Sequence, residues 1–235
     1  MNLILLEASE AAAPLAPDDP RSVHILKVLR RGVGDLFDAG IVNGPRGKAT
    51  ISSITASGLG FTFEATAEAP EADPVHLVVA MARPQTARKI LNEAAALGVS
   101  SIRFFQSEKG EASYASSTLW SSGEWRRHLM DGAAQAFDTR LPDVLHADTL
   151  SECLKSLPSK CIKVALDNYE SPERLSPTLR ARPLALAFGP ERGWSASERT
   201  LLRGIGFDLA HLGTRVLRTE TAVVAALAIV KAANA

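Results

Sequence analysis

The chain has 235 residues, 46% of them apolar and 22% charged, and its 26 basic and 26 acidic side chains cancel to a formal charge of zero. That length buries a real core in one large domain or two smaller ones, and the composition is ordinary for a soluble globular protein. A zero balance excludes a global field for nucleic acid, so any such partner must be met by local patches.

At the N-terminus a brief apolar run, residues 3–6, is followed by Glu7 and lacks a basic leader, so a signal peptide is not expected. Residues 20–31 then carry Arg21, His24, Lys27, Arg30 and Arg31 without an acid. Such a run faces either phosphates or plain solvent. Segments 35–40, 48–54 and 60–67 are short, partly alternating and separated by Gly and Pro, which predicts strands of a small barrel or compact sheet. Phe61, Phe63, Ala65 and Ala67 would share one strand face. The stretch 69–74, with two prolines and two acids, reads as a linker, giving domains at 1–70 and 75–235.

Beyond it the texture becomes strands alternating with helices. Runs 75–80, 101–105, 162–166 and 184–188 are strand-length and mostly apolar, while 85–97 and 124–137 carry helical spacing, the first stopped by Gly98. This order predicts an α/β domain, a parallel sheet with helices on both faces. Cys153 and Cys161 have no metal-ligand or disulfide spacing and suit a reducing cytoplasm; none of the five histidines has a metal partner by spacing. The longest uncharged apolar run, 222–230, falls far short of the ~20 residues that span a bilayer, so no membrane partner is expected.

Two strand–loop–helix units close the chain. The first runs from 184–188 into GPERGWS (189–195), where Ser195 and Glu198 form a capping box; the second runs from 207–212 into GTRVLRT and a helix from Glu220 to about Asn234. If the two strands are parallel and adjacent, both loops leave the carboxyl edge, where open α/β sheets hold ligands. Gly189, Gly193 and Gly213 permit close backbone approach to such a ligand. The last helix is apolar on nearly every side, which predicts burial in the core or against a second copy of the chain.

The tandem GPERGWS…LGTRVLRTETA, over roughly 189–222, resembles the C-terminal signature of the SPOUT-class RNA methyltransferases, and within them the family that methylates N3 of a uridine in 16S ribosomal RNA. His24–Arg30 with Gly34 and Asp35 is similar to the HxxxVLR…GD of that family's N-terminal barrel. The resemblance implies a small PUA-like, RNA-binding β-barrel, then a SPOUT α/β domain with a trefoil knot that holds S-adenosylmethionine without a metal. It also implies a homodimer through the C-terminal domain, and 16S rRNA or the small ribosomal subunit as partner. Glu93, Ala96, Asp138 and Arg192 depart from the family pattern.

Carried onto this chain, the resemblance assigns the methyl donor to Gly189, Pro190, Glu191, Gly193, Leu212, Gly213, Val216, Leu217, Thr219 and Thr221. Methyl transfer to uridine N3 requires loss of its proton and spreads negative charge onto the flanking carbonyl oxygens. Arg218, and second Arg215, would stabilise that charge, and Glu220 would orient the arginine or accept the proton. Arg21, His24, Lys27, Arg30 and Arg140 are candidates for RNA contact, phosphate contacts positioning RNA without reading its sequence. The rival expectations are a same-fold methyltransferase acting on another RNA or base position, and a non-catalytic RNA-binding paralogue.

Overall fold

The computed structural model describes residues 3–176 and 183–232. It divides into two compact units, one of residues up to Glu71 together with Met130–Leu141, the other of Ala72–Leu129 and Pro142 onward. In chain order the first unit begins with β1 (Ile4–Leu6), α1 (Pro20–Val23), β2 (Leu36–Ile41), β3 (Arg46–Thr55) and β4 (Gly58–Ala67). The second holds β5 (Asp73–Ala80), α2 (Pro84–Ala96), β6 (Val99–Phe105) and α3 (Thr118–Ser121), and α4 (Glu124–Gln135) follows. Then come β7 (Asp143–Ala147), α5 (Leu150–Lys155), β8 (Ile162–Leu166), β9 (Glu173–Arg174), β10 (Leu184–Phe188), α6 (Ala196–Gly204), β11 (Asp208–His211) and α7 (Thr219–Ala232).

The first unit is a four-stranded sheet in the order β1-β2-β3-β4. The β1–β2 pair is parallel and the other two pairs are antiparallel. Alternation along these strands buries Ile4, Leu6, Phe37, Ala39, Ala49 and Ile51 in one core, against which Phe61 and Phe63 pack. Pro20 opens α1 with Asp19 as its cap, and the helix widens at once into a π-turn over His24–Val28. There the Leu29 N–H donates to the His24 carbonyl at 2.9 Å. Arg30 follows at φ 55°, the left-handed region that ends a helix.

All seven strands of the second unit are parallel, in the order β7-β6-β5-β10-β8-β11-β9. Alternate residues serve opposite faces. Val78, Ala80, Ala185 and Ala187 meet α5 and α6 through Leu150, Cys153, Leu154 and Leu202. Their neighbours Leu77, Val79, Leu184 and Leu186 are equally buried on the other face, where α2 and α7 contact each other and the sheet.

Two expectations change, and two strands are present that no apolar run marked. β10 and β11 are parallel but not adjacent, because β8 pairs with both and lies between them. β7 and β9 lack an apolar run, β7 being an edge strand with Asp143 and His146 and β9 only two residues long. α7 starts at Thr219 and buries one stripe, Val223, Ala226, Leu227 and Val230, while Ala228 is exposed. The predicted end of that helix at Asn234 lies outside the described residues.

Candidate functional site

Three loops leave the carboxyl edge of β8, β10 and β11 and enclose one cleft. Leu166–Tyr169 form one wall, Phe188–Glu191 with Gly193 and Trp194 the second, and Leu212, Val216, Leu217, Thr219 and Ala222 the third. The cleft holds about 670 Å³ including its open mouth, a size that suits a small organic ligand.

The second loop is stapled at its base. Trp194 is 1% exposed, lies parallel to Phe105 at 5.9 Å, and donates Nε1–H to the Leu166 carbonyl at 2.9 Å. Its own carbonyl accepts from Lys109 Nζ at 2.9 Å and Arg199 Nη1 at 3.0 Å. Ser195 Oγ accepts from the Glu198 N–H while a Glu198 oxygen accepts from the Ser195 N–H, the expected capping box. The other Glu198 oxygen accepts from Ser107 Oγ at 2.7 Å, so the loop is fixed to the segment after β6 as well. A Cβ on Gly189 would lie 3.0 Å from the Trp194 ring, and one on Gly193 would lie 3.0 Å from Tyr169 Cε2. The backbone therefore runs close under both rings, and the Gly193 N–H closes the turn on the Pro190 carbonyl at 2.8 Å.

Asp167 and Arg199 form a buried ion pair at the base of the first loop, Nε to Oδ2 at 2.5 Å. Burial pushes the Asp167 carboxyl up, but hydrogen bonds from Arg199 and from the Tyr169 N–H outweigh it and hold the group below the usual range. The same guanidinium stands 5.9 Å from the centre of the Tyr169 ring, whose outer face is open. No sequence signal picked out Asp167, Asn168 or Tyr169, although they follow an apolar strand as the two glycine loops do.

A second cleft shares Glu191 and Thr219 with the first. Arg83, Gln85, Thr86 and Lys89 of α2 and its approach line one side, and Arg218 and Glu220 the other. Lys89 Nζ is 3.2 Å from Glu220 Oε1. Burial raises the Glu220 carboxyl, but its own backbone N–H and Lys89 bring it net below the usual range, so it is ionised at neutral pH. Three cations, Arg83, Lys89 and Arg218, thus line the second cleft.

Of the donor-site candidates, Gly189, Pro190, Glu191, Gly193, Leu212, Val216, Leu217 and Thr219 line the first cleft, whereas Gly213 and Thr221 do not. The Gly213 N–H instead donates to His211 Nδ1 at 3.0 Å, which shapes the turn. Arg218 and Glu220 line the second cleft; Arg215 is exposed and lines neither. Arg83 and Lys89 were missed by sequence reasoning, since helical spacing marked α2 only for its apolar face.

In the first unit Lys27 and Arg30 are exposed. Arg21 departs from its expected phosphate role: its fork is spent on Glu10 and Asp19, each at 2.7 Å, with a further bond to the Leu5 carbonyl. His24 Nε2 is buried and has no hydrogen-bond partner among the described residues. Arg140 donates Nε–H to the Pro70 carbonyl at 3.3 Å, and Asp138 accepts from its N–H. Among the described residues no three His, Cys, Asp or Glu side chains gather as a metal site requires, and no helix is long and apolar enough to cross a membrane.

Comparison with known proteins shows the family. Residues 69–231 match the RNA methyltransferase domain family. Ribosomal RNA small subunit methyltransferase E of Treponema pallidum is 38% identical over 99% of this chain and 91% of its own length. A relative in Borreliella burgdorferi, ribosomal RNA small subunit methyltransferase E 1, is 29% identical over 96% of this chain and 95% of its own. Among solved structures, a Legionella pneumophila methyltransferase in complex with SAM superposes with a TM-score of 0.79 at 22% identity, covering 99% of this chain and 98% of that one. Ribosomal RNA small subunit methyltransferase E from Neisseria gonorrhoeae, bound to S-adenosyl methionine, gives 0.74 at 23% identity over 97% and 95%.

Proposed function

The chain belongs to the RNA methyltransferase family, and we propose that it transfers the methyl group of S-adenosylmethionine to N3 of a uridine in the 16S rRNA of the small ribosomal subunit. The observation that carries this reading is the junction of the two clefts at Glu191 and Thr219, one walled by glycine loops and the other by cations. Proximity of donor and acceptor is what a methyl transfer needs from its protein.

The donor fits the first cleft: Gly189 and Gly193 bring bare backbone beside the rings of Trp194 and Tyr169, with Leu212 and Leu217 as apolar walls. S-adenosylmethionine supplies an electrophilic methyl group and its own leaving group, so the chain's residues need only bind, orient and manage one proton. Arg218, Arg83 and Lys89 favour the anionic form of the base, because negative charge spreading onto the carbonyl oxygens beside N3 meets cations already in place. Glu220, ionised and paired with Lys89, orients these cations, and its carboxylate is the acceptor in the second cleft for the N3 proton. Arg215, exposed outside both clefts, is the weaker candidate.

The reading extends to a PUA-like barrel in the first unit that meets RNA phosphates through Lys27, Arg30 and Arg140, with Arg21 and His24 bracing it. It extends also to a trefoil knot at the three loops, a homodimer through the C-terminal domain and action in the cytoplasm. Replacing Arg218 with Ala is expected to abolish methyl transfer to small subunits from a strain lacking the enzyme, with donor binding by calorimetry unchanged. Full turnover by that variant removes Arg218 from catalysis, and absence of donor binding by the unaltered chain overturns the methyltransferase reading. Nucleoside mapping of the product separates N3 of uridine from other targets.

A further inference from the structure

A third cleft lies away from the donor site, on the sheet's edge between β6, β7 and α5. It holds about 650 Å³ including its mouth. At its base is Arg103, 7% exposed on β6. The guanidinium donates Nε–H to Ser156 Oγ at 2.7 Å, Nη2–H to the Ser156 carbonyl at 2.9 Å, and Nη1–H to Ser101 Oγ. Every one of these partners is neutral. Ser101 Oγ is itself 2.8 Å from His76 Nδ1, so it brings no charge either.

Arginine does not shed its proton, and a buried cation without an opposite charge is costly. No carboxylate among the described residues forms an ion pair with Arg103. Asp143, on β7 in register with Ser101, acts on it only at longer range. The nearby thiol of Cys153 is pushed up to about 12 by burial and stays neutral, so it supplies no counter-charge. Each terminal nitrogen of the fork keeps one hydrogen without a described partner, in a cleft that His146 also lines with its ring edge-on to Trp120 at 4.4 Å.

We propose that this cleft binds a small oxyanion, a phosphate or carboxylate group, with Arg103 as its charge partner and Asp148 and Glu152 at the rim selecting against excess negative charge. Arginine's planar fork matches both groups through paired N–H donors, and burial strengthens the contact.

The test is titration of the full chain with inorganic phosphate and, separately, with acetate, at constant ionic strength set by sodium chloride. Saturable binding of at least one probe is expected, weakened on the order of 10-fold in Arg103→Lys and lost in Arg103→Met. The Asp148→Asn, Glu152→Gln double variant, altered only at exposed positions, is expected to tighten binding by roughly 3-fold. Preference for phosphate or for acetate names the source of the group, and either preference supports the site. Failure of both probes to bind, or wild-type affinity in Arg103→Met, overturns it. If Arg103→Met does not fold, the rim variant decides, and unchanged affinity there overturns the proposal.

Discussion

Lys89 and Glu220 stand 131 positions apart in sequence and 3.2 Å apart in space, linking α2 to the first turn of α7 beside Arg218. Lys89 is largely exposed while Glu220 is mostly buried, so the carboxylate is the fixed member and the ammonium the one drawn in. Glu220→Gln removes the anchor and Lys89→Met removes the cation. A hydrogen bond to a charged group is worth about 1.5–3 kcal/mol, so each change is expected to lower kcat roughly 10- to 100-fold. Donor affinity by calorimetry is expected to stay within about 2-fold, because the pair lines the second cleft and not the first. An equal loss of donor affinity would show that the pair only supports the fold of the loop.

Gly193 gives a sharper test of the donor cleft. Its φ of 70° is strained for any side-chain-bearing residue, and a Cβ there would meet the Tyr169 ring at 3.0 Å. Gly193→Ala therefore costs about 1–2 kcal/mol locally and displaces a cleft wall. The expected result is a donor dissociation constant raised on the order of 10-fold, with the chain's circular dichroism unchanged. Wild-type affinity in that variant would place the donor elsewhere.

How much of this site was legible in the sequence varies by loop. Gly189, Gly193, the Ser195–Glu198 box and the helix after Thr219 follow local rules of turns and caps, and they stand where spacing put them. The wall formed by Leu166–Tyr169 does not follow such rules. Asp167 works because Arg199, 32 residues later, is brought to it by α6, and no local pattern marks a residue whose partner arrives through packing. The same holds for Arg83 and Lys89, whose polar side of α2 acquires meaning only when α7 packs beside it. Strand order was beyond reach for a related reason: periodicity finds β8, β10 and β11 but says nothing of which lies between the others. In the first unit, Arg21 looked like a phosphate ligand because Glu10, its internal partner, is 11 positions away on a separate turn.

Asp167 and Arg199 also bear on stability. Their side chains are 1% and 9% exposed, so removing the Asp167 charge leaves the buried Arg199 guanidinium with only the partly exposed Glu170, 3.5 Å away, as counter-charge. Asp167→Asn is expected to destabilise the second unit by about 3–5 kcal/mol, and Asp167→Ala by no less, since breaking a buried pair is far costlier than replacing it whole. Urea unfolding followed by tryptophan fluorescence reports this directly, because Trp194 is buried in the same loop system and hydrogen-bonded to Leu166. A change under about 1 kcal/mol would mean that water replaces the carboxylate without cost.

Acid stability follows from Glu124. Arg88 donates to both its oxygens at 2.8 and 3.1 Å, and His128 Nε2 lies 3.1 Å from one of them. Arg88 first, and His128 after it, hold the carboxyl down from the usual 4.5 to about 2. A folded-state value below the unfolded one stabilises the fold while the group is ionised in both states. The contribution is therefore complete above pH 4.5 and drains away as pH falls toward 2. Wild-type chain and Glu124→Gln are expected to differ in denaturation midpoint at pH 7, to converge progressively below pH 4.5, and to coincide near pH 2. A gap that stays constant across that window would assign the effect of the substitution to packing, not to the charge held by Arg88.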